Sequence, residues 1–110
     1  MISFPNAKIN LGLNVTRKRE DGFHAIESVF FPIPWNDILE VVPTNSGTGN
    51  VRFDSTGIDI PSNGSPNLCE RVYSLMHDAY DLPSVKIHLH KLIPIGAGLG
   101  GGSADAAFVA

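Results

Sequence analysis

From Ala7 to Thr16 the chain reads AKINLGLNVT, with apolar and polar positions alternating. Ile9, Leu11, Leu13 and Val15 fall on one side, Lys8, Asn10, Gly12 and Asn14 on the other. A period of two is that of a strand, so the segment predicts a strand with one buried face. The charged stretch RKREDGF follows, and its Asp21-Gly22 pair marks a turn. HAIESVFFPI is aromatic and β-branched, which predicts a second strand antiparallel to the first, ended by Pro32 and Pro34. DILEVVP and NVRFDS predict two further strands joined by the loop TNSGTG, and TGIDIPSNGSPN reads as a long polar loop.

The period then changes. Leu68, Val72, Leu75, Met76 and Ala79 recur at helical spacing, with Asn67 or Ser65 as a cap and Pro83 as the closing residue. VKIHLHKL returns to alternation, with Val85, Ile87 and Leu89 on one side. A glycine-rich stretch follows, and a second helix is expected from Ser103 to Ala110. The order ββββ–α–β–loop–α predicts an α+β fold: two layers, a mixed sheet with helices on one face.

Composition narrows the class. A chain of 110 residues supports one small domain, and 43% apolar with 17% charged residues is ordinary for a globular protein. A net charge of −3 argues against a nucleic-acid partner. Cys69 is the only cysteine, so no intrachain disulfide is possible, and a reducing compartment is the simpler reading. MISFPNAKIN lacks the charged head and apolar run of a secretory signal, and no run is long enough to span a bilayer. These features predict a cytoplasmic chain with no membrane partner. Because the last helical segment is only about two turns long, the chain is read as part of a longer protein.

The chemistry concentrates in IPIGAGLGGGSADAA. Glycine adopts positive φ and lets a ligand approach the main chain, and successive amides leading into a helix form an anion-binding concavity. Gly96 to Ser103 therefore reads as a phosphate cradle. GAGLGG formally fits the dinucleotide fingerprint, but four strands precede it and Pro94 separates strand from glycine. A Walker-type loop needs a lysine where Gly102 stands.

PIGAGLGGGSADAA resembles the ATP-binding loop of the galactokinase, homoserine kinase, mevalonate kinase and phosphomevalonate kinase (GHMP) superfamily, roughly P-x-x-x-G-L-G-S/G-S/G-S-A/S-x-A-A. NAKINLGLNV followed by KREDGFH is similar to one branch, the kinases of a cytidine-diphosphate-linked methylerythritol, which carry P-A-K-[IL]-N-L and then R-x-D-G-Y-H. The resemblance runs from Asn6 to the last residue. It implies an incomplete N-terminal ATP-binding domain over 1–110, with the two-layer fold shared with part of ribosomal protein S5. The implied reaction is ATP-dependent phosphorylation of the acceptor's tertiary 2-hydroxyl, in the non-mevalonate route to isoprenoid precursors. Other superfamily members (homoserine or mevalonate kinase-like) and a non-catalytic S5-like binding module are the alternatives; KREDGFH speaks against the former, the acidic balance and the phosphate loop against the latter.

The resemblance assigns ATP binding to Pro94, Ile95, Gly96, Ala97, Gly98, Leu99, Gly100, Gly101, Gly102, Ser103 and Ala104. Lys8 becomes the catalytic cation, and Asn10, Phe23 and His24 become acceptor-binding residues. Asn10 would bond the sugar alcohol and His24 the cytosine ring. Phe23 stands where the branch has tyrosine, keeping a ring for stacking but losing the phenolic oxygen. Asn6 replaces the branch's proline. Ser103 either helps hold magnesium or caps the last helix. Asp105 is expected in the first helical turn, favoured by the helix dipole, and is not read as the base. The superfamily's catalytic aspartate belongs to a G-x-D-[VI]-P-x-F motif that these 110 residues do not contain, so the fragment alone is expected to be inactive.

Three further features are weighed as ordinary structure. His88 and His90 alternate on one strand face, but two ligands do not make a metal site. Cys69 reads as packing, and the Val29-Phe30-Phe31 run as core or interface.

Overall fold

The computed structural model describes every residue but Asn63, and every side chain but those of Asn63, Ser46 and Thr48. The elements are β1 (Ile2–Ser3), β2 (Asn6–Lys18), β3 (His24–Asn36), β4 (Ile38–Thr48), β5 (Val51–Gly57), α1 (Leu68–Tyr80), β6 (Pro83–Lys91) and α2 (Gly101–Val109). Four strands form a mixed sheet in the order β1-β4-β6-β5, and β2 and β3 form a separate two-stranded sheet. β6 runs antiparallel to β4 and parallel to β5. The parallel pair needs a crossover, which α1 supplies. The fold is α+β, and both helices contribute to a core on one face of the mixed sheet.

That core follows from strand alternation. Val85, Ile87 and Leu89 of β6 point inward beside Leu39 of β4, and Cys69 and Tyr73 of α1 cover them. Val41, Val51, Phe53, Ile60, Leu82 and Val109 pack around this centre. The stripe expected on α1 is rotated: Leu68 and Leu75 are exposed, and the buried residues are Cys69 and Tyr73. Tyr73 packs inward because its hydroxyl finds the carbonyl of Pro83 at 2.7 Å, which satisfies its polar end. Asn67 is the N-cap of α1, in a capping box with Glu70.

Several boundaries move. β3 continues through Pro32 and Pro34 to Asn36. In a two-stranded sheet each strand has an open edge, where a proline's missing N–H costs no ladder bond. β4 continues through most of the expected TNSGTG loop, with a register shift between Pro43 and Thr48. Pro83 opens β6. The polar loop expected over 56–67 begins after β5 ends at Gly57, and its Asn63 lies outside the described residues.

The largest departure concerns β2. Ile9, Leu11, Leu13 and Val15, read as a buried face, are exposed, as are Val29, Phe30 and Phe31 of β3. The alternation also breaks at Gly12, whose φ is +69°, where the register shifts between Leu11 and Asn14. No described helix of the chain is long and apolar enough to cross a membrane.

Candidate functional site

β6 delivers the chain into the glycine loop, and α2 takes it out. Along the loop, Gly96, Gly98 and Gly100 have φ of +74°, +73° and +73°, while Ala97 and Leu99 between them do not adopt positive φ. This alternation of hand turns successive amides inward, the geometry of an anion-binding nest. Among the described residues, no protein acceptor takes the main-chain N–H groups from Gly96 to Ser103. The loop walls a cavity of about 400 Å³, lined also by Ile60, Asn67, Leu68, Leu89, Lys91 and Asp105. Unpaired donors thus adjoin an apolar wall and the N-terminus of α2, which carries roughly half a positive charge.

Lys8 joins this loop to β2 although ninety residues separate them. Its amide donates to the carbonyl of Leu99 at 2.9 Å, and its Nζ donates to the carbonyl of Gly98 at 2.7 Å. The same Nζ donates to Asn10 Oδ1 at 2.6 Å and lies 5.4 Å from the centre of the Phe30 ring. Asn10 in turn donates to Ser28 Oγ at 2.8 Å. The Lys8 stem packs where a Cβ on Gly100 would stand: that atom would fall 3.1 Å from Cε and 3.2 Å from Cγ. Gly100 thus serves both the turn into α2 and the approach of Lys8.

The family model "GHMP kinases N terminal domain" matches residues 67–110, which hold α1, β6, the loop and α2. The chain is 59% identical over 108 residues to the 4-diphosphocytidyl-2-C-methyl-D-erythritol kinase of Cytophaga hutchinsonii, covering 98% of the chain and 38% of the relative. It is 51% identical over 109 residues to the enzyme of the same name from Bacteroides fragilis, covering 99% and 40%. A crystal structure of 4-(cytidine 5'-diphospho)-2C-methyl-D-erythritol kinase superposes with a TM-score of 0.79 at 43% identity, over 99% of the chain and 38% of that structure. Residues 67–110 thus match the GHMP kinase N-terminal domain, and nearly the whole chain is similar to the first part of these kinases. It spans about 40% of the length of the curated relatives it matches.

Within the chain the expected site residues divide. Lys8, Asn10 and the loop meet. Phe23 and His24 lie in the far half of the β2–β3 hairpin, His24 in register with Lys18, ten residues or roughly 30 Å of strand from Lys8. Phe23 is 72% exposed, with its amide bonded to Asp21 Oδ1 at 3.1 Å. Neither is hydrogen-bonded to the glycine loop. Ser103 is not the cap of the last helix: α2 begins two residues earlier, with Gly100 as its N-cap and no side-chain cap bond. Ser103 is exposed on the cavity wall. Among the described residues no group of three His, Cys, Asp or Glu side chains is placed to hold a metal ion. The donor set fits a magnesium ion carried mainly by substrate phosphates, with the Ser103 hydroxyl as one available oxygen. His88 Nε2 and His90 Nδ1 both approach Thr56 Oγ1, at 3.1 and 2.9 Å.

A buried polar cluster under the loop was not anticipated. Lys91, only 2% exposed, is hydrogen-bonded to Asp37 Oδ2 and, at 2.9 Å, to Asp105 Oδ2. Asp105 is therefore not a first-turn acid in a solvated dipole role; the early start of α2 carries it past the first turn and into the interior. Its Oδ1 has no hydrogen-bond partner among the described residues. Burial pushes the Asp105 carboxyl up to about 6, against the opposing pull of Lys91. Burial also acts to raise Asp37, but the Lys91 hydrogen bond and the Ile93 and Leu92 amides outweigh it and hold that carboxyl low. For Lys91, burial acts downward, and the two carboxylates outweigh it and raise the ammonium. One signal for this cluster was in the sequence. The alternation that buries Val85, Ile87 and Leu89 places Lys91 on the same inward face, and a buried lysine requires carboxylate partners.

Proposed function

We propose that the protein to which this chain belongs transfers the γ-phosphoryl group of ATP to the 2-hydroxyl of 4-diphosphocytidyl-2-C-methyl-D-erythritol. The observation that carries the reading is the junction of Lys8 with the glycine loop. A cation and a row of unpaired amides meet at one point, which is what a phosphoryl group in transfer requires. The loop amides hold the phosphates, and the apolar wall of Ile60, Leu68 and Leu99 accommodates the base. Lys8 stabilises the charge that develops as the bond from the γ-phosphorus to the bridging oxygen breaks and the acceptor oxygen bonds in its place. The acceptor's proton leaves to a carboxylate outside these 110 residues. Asn10, held beside Lys8, orients the acceptor alcohol, while His24 and Phe23 take the cytosine. Magnesium, when bound with ATP, neutralises phosphate charge, with Ser103 as a ligand. KREDGFH and the names of the relatives support the cytidine-linked acceptor. The substrates and the single buried thiol suit the cytoplasm.

The test uses protein of the relatives' full length. ADP should form with ATP and the cytidine-linked acceptor, and Lys8→Met should reduce kcat by about 10²–10³-fold. Turnover of homoserine or mevalonate in its place would move the chain to another branch. Absence of any nucleotide binding would leave a binding module.

A further inference from the structure

Asp37 stands between β3 and β4, in the interior, outside every motif described above. Its Oδ1 accepts from the amides of Leu92 and Ile93 at 2.6 and 2.8 Å, where β6 passes into the glycine loop. Its Oδ2 accepts from Lys91, whose ammonium also donates to Asp105 on α2 at 2.9 Å. The Asp37 amide donates to the carbonyl of Pro5 at 2.9 Å, just before β2 brings in Lys8. One carboxylate thus reaches the entry of the loop directly and its exit through a lysine, while its own backbone is tied to the approach of the catalytic strand. The fit is close: a Cβ on Gly101 would fall 2.8 Å from Lys91 Nζ and 2.9 Å from Ile93 Cγ2.

We propose that Asp37 is a positioning residue for the nucleotide loop, acting through Lys91, Leu92 and Ile93 to fix the separation between the end of β6 and the start of α2. The proposal rests on the nucleotide reading of the loop. It assigns Asp37 no contact with either substrate. The seven residues 94–100 span two clamped ends, and alternating glycines cannot hold that span by themselves, since glycine has the least conformational restriction of any residue. A carboxylate at this position supplies the only acceptor set that satisfies two backbone amides and an ammonium together. An asparagine places a donor against one of them whichever way it turns.

The experiment uses protein of the relatives' full length, with Asp37→Asn and Leu92→Pro, the latter removing one amide of the clamp while leaving the buried charges paired. Nucleotide affinity is read by calorimetry with a non-hydrolysable ATP analogue, and KM for each substrate and kcat by turnover. Asp37→Asn should weaken nucleotide binding at least tenfold and Leu92→Pro at least threefold, with acceptor KM and kcat at saturating ATP within about twofold of the parent. Parallel loss for both substrates, a fall in kcat alone, or unchanged nucleotide affinity would overturn the proposal. Should Asp37→Asn fail to fold, Leu92→Pro decides by the same criteria. A parent that binds nucleotide but transfers no phosphate would refute the kinase reading while the binding data still judge Asp37; a parent that binds none would refute both.

Discussion

Gly100→Ala tests the loop geometry most sharply, because two separate costs meet at that residue. Its φ of +73° lies in the left-handed region, where a side chain costs about 1–2 kcal/mol. The added Cβ would also stand 3.1 Å from Lys8 Cε, so the lysine must shift. That shift strains the bonds of Nζ to Asn10 and Gly98, worth about 1 kcal/mol together with the contact. The sum is about 2–3 kcal/mol. Gly98→Ala carries the first cost alone, because its φ is also +73° but no atom lies within 4 Å of a Cβ there. Gly102→Ala carries neither: Gly102 is helical, has open space, and should gain about 0.5–1 kcal/mol in helix propensity. Equilibrium urea unfolding of the three variants should rank Gly102→Ala above the parent, then Gly98→Ala, then Gly100→Ala. In a Lys8→Ala background the gap between the last two should close. A Gly100→Ala variant as stable as the parent, or a gap that persists without Lys8, would refute the reasoning.

Three further outcomes follow from the buried groups. A carboxyl raised to about 6 in the fold takes up a proton that the unfolded chain, near 3.8, does not hold, so Asp105 favours the folded state below pH 4 and loses that contribution as pH rises towards 6. Unfolding measured from pH 4 to 7 should therefore show Asp105→Asn gaining on the parent as pH rises; a constant difference contradicts the burial argument. Asp37 has the opposite sign: its lowered pKa supports the fold above about pH 4, and that support fades as pH falls further, which Asp37→Asn should remove. Burial pushes the Cys69 thiol up to about 12, so iodoacetamide at pH 8 should label it only after denaturant is added.

Much of the architecture was legible because strand alternation and helical spacing report periodicity directly. The β6 pattern located three core residues, and Asn67 marked the start of α1. What periodicity does not report is which surface meets which. Ile9, Leu11, Leu13 and Val15 alternate as a face suited to burial, yet within these 110 residues they are exposed. The helical stripe was misplaced because Leu68 and Leu75 are more apolar than Cys69 and Tyr73, whereas hydrogen bonding to Pro83 favoured the tyrosine. The prolines of β3 misled because their cost depends on edge position, which a single strand does not disclose. In the candidate site, the glycine loop and Lys8 were visible as motifs, but their contact is tertiary. Asp37 carried no signal of its own, since it was read only as the first residue of the strand DILEVVP, whereas β4 begins at Ile38; only Lys91, falling on an inward position, pointed towards it.

The central claim is that the alternating glycines present their amides to a nucleotide's phosphates. A crystal structure of full-length protein with a non-hydrolysable ATP analogue tests it directly. The account predicts phosphate oxygens at about 3 Å from main-chain nitrogens between Gly96 and Ser103, with Lys8 Nζ turned towards the terminal phosphate. Ordered phosphates elsewhere on the protein, with the loop well defined and its amides still unbonded, would contradict it.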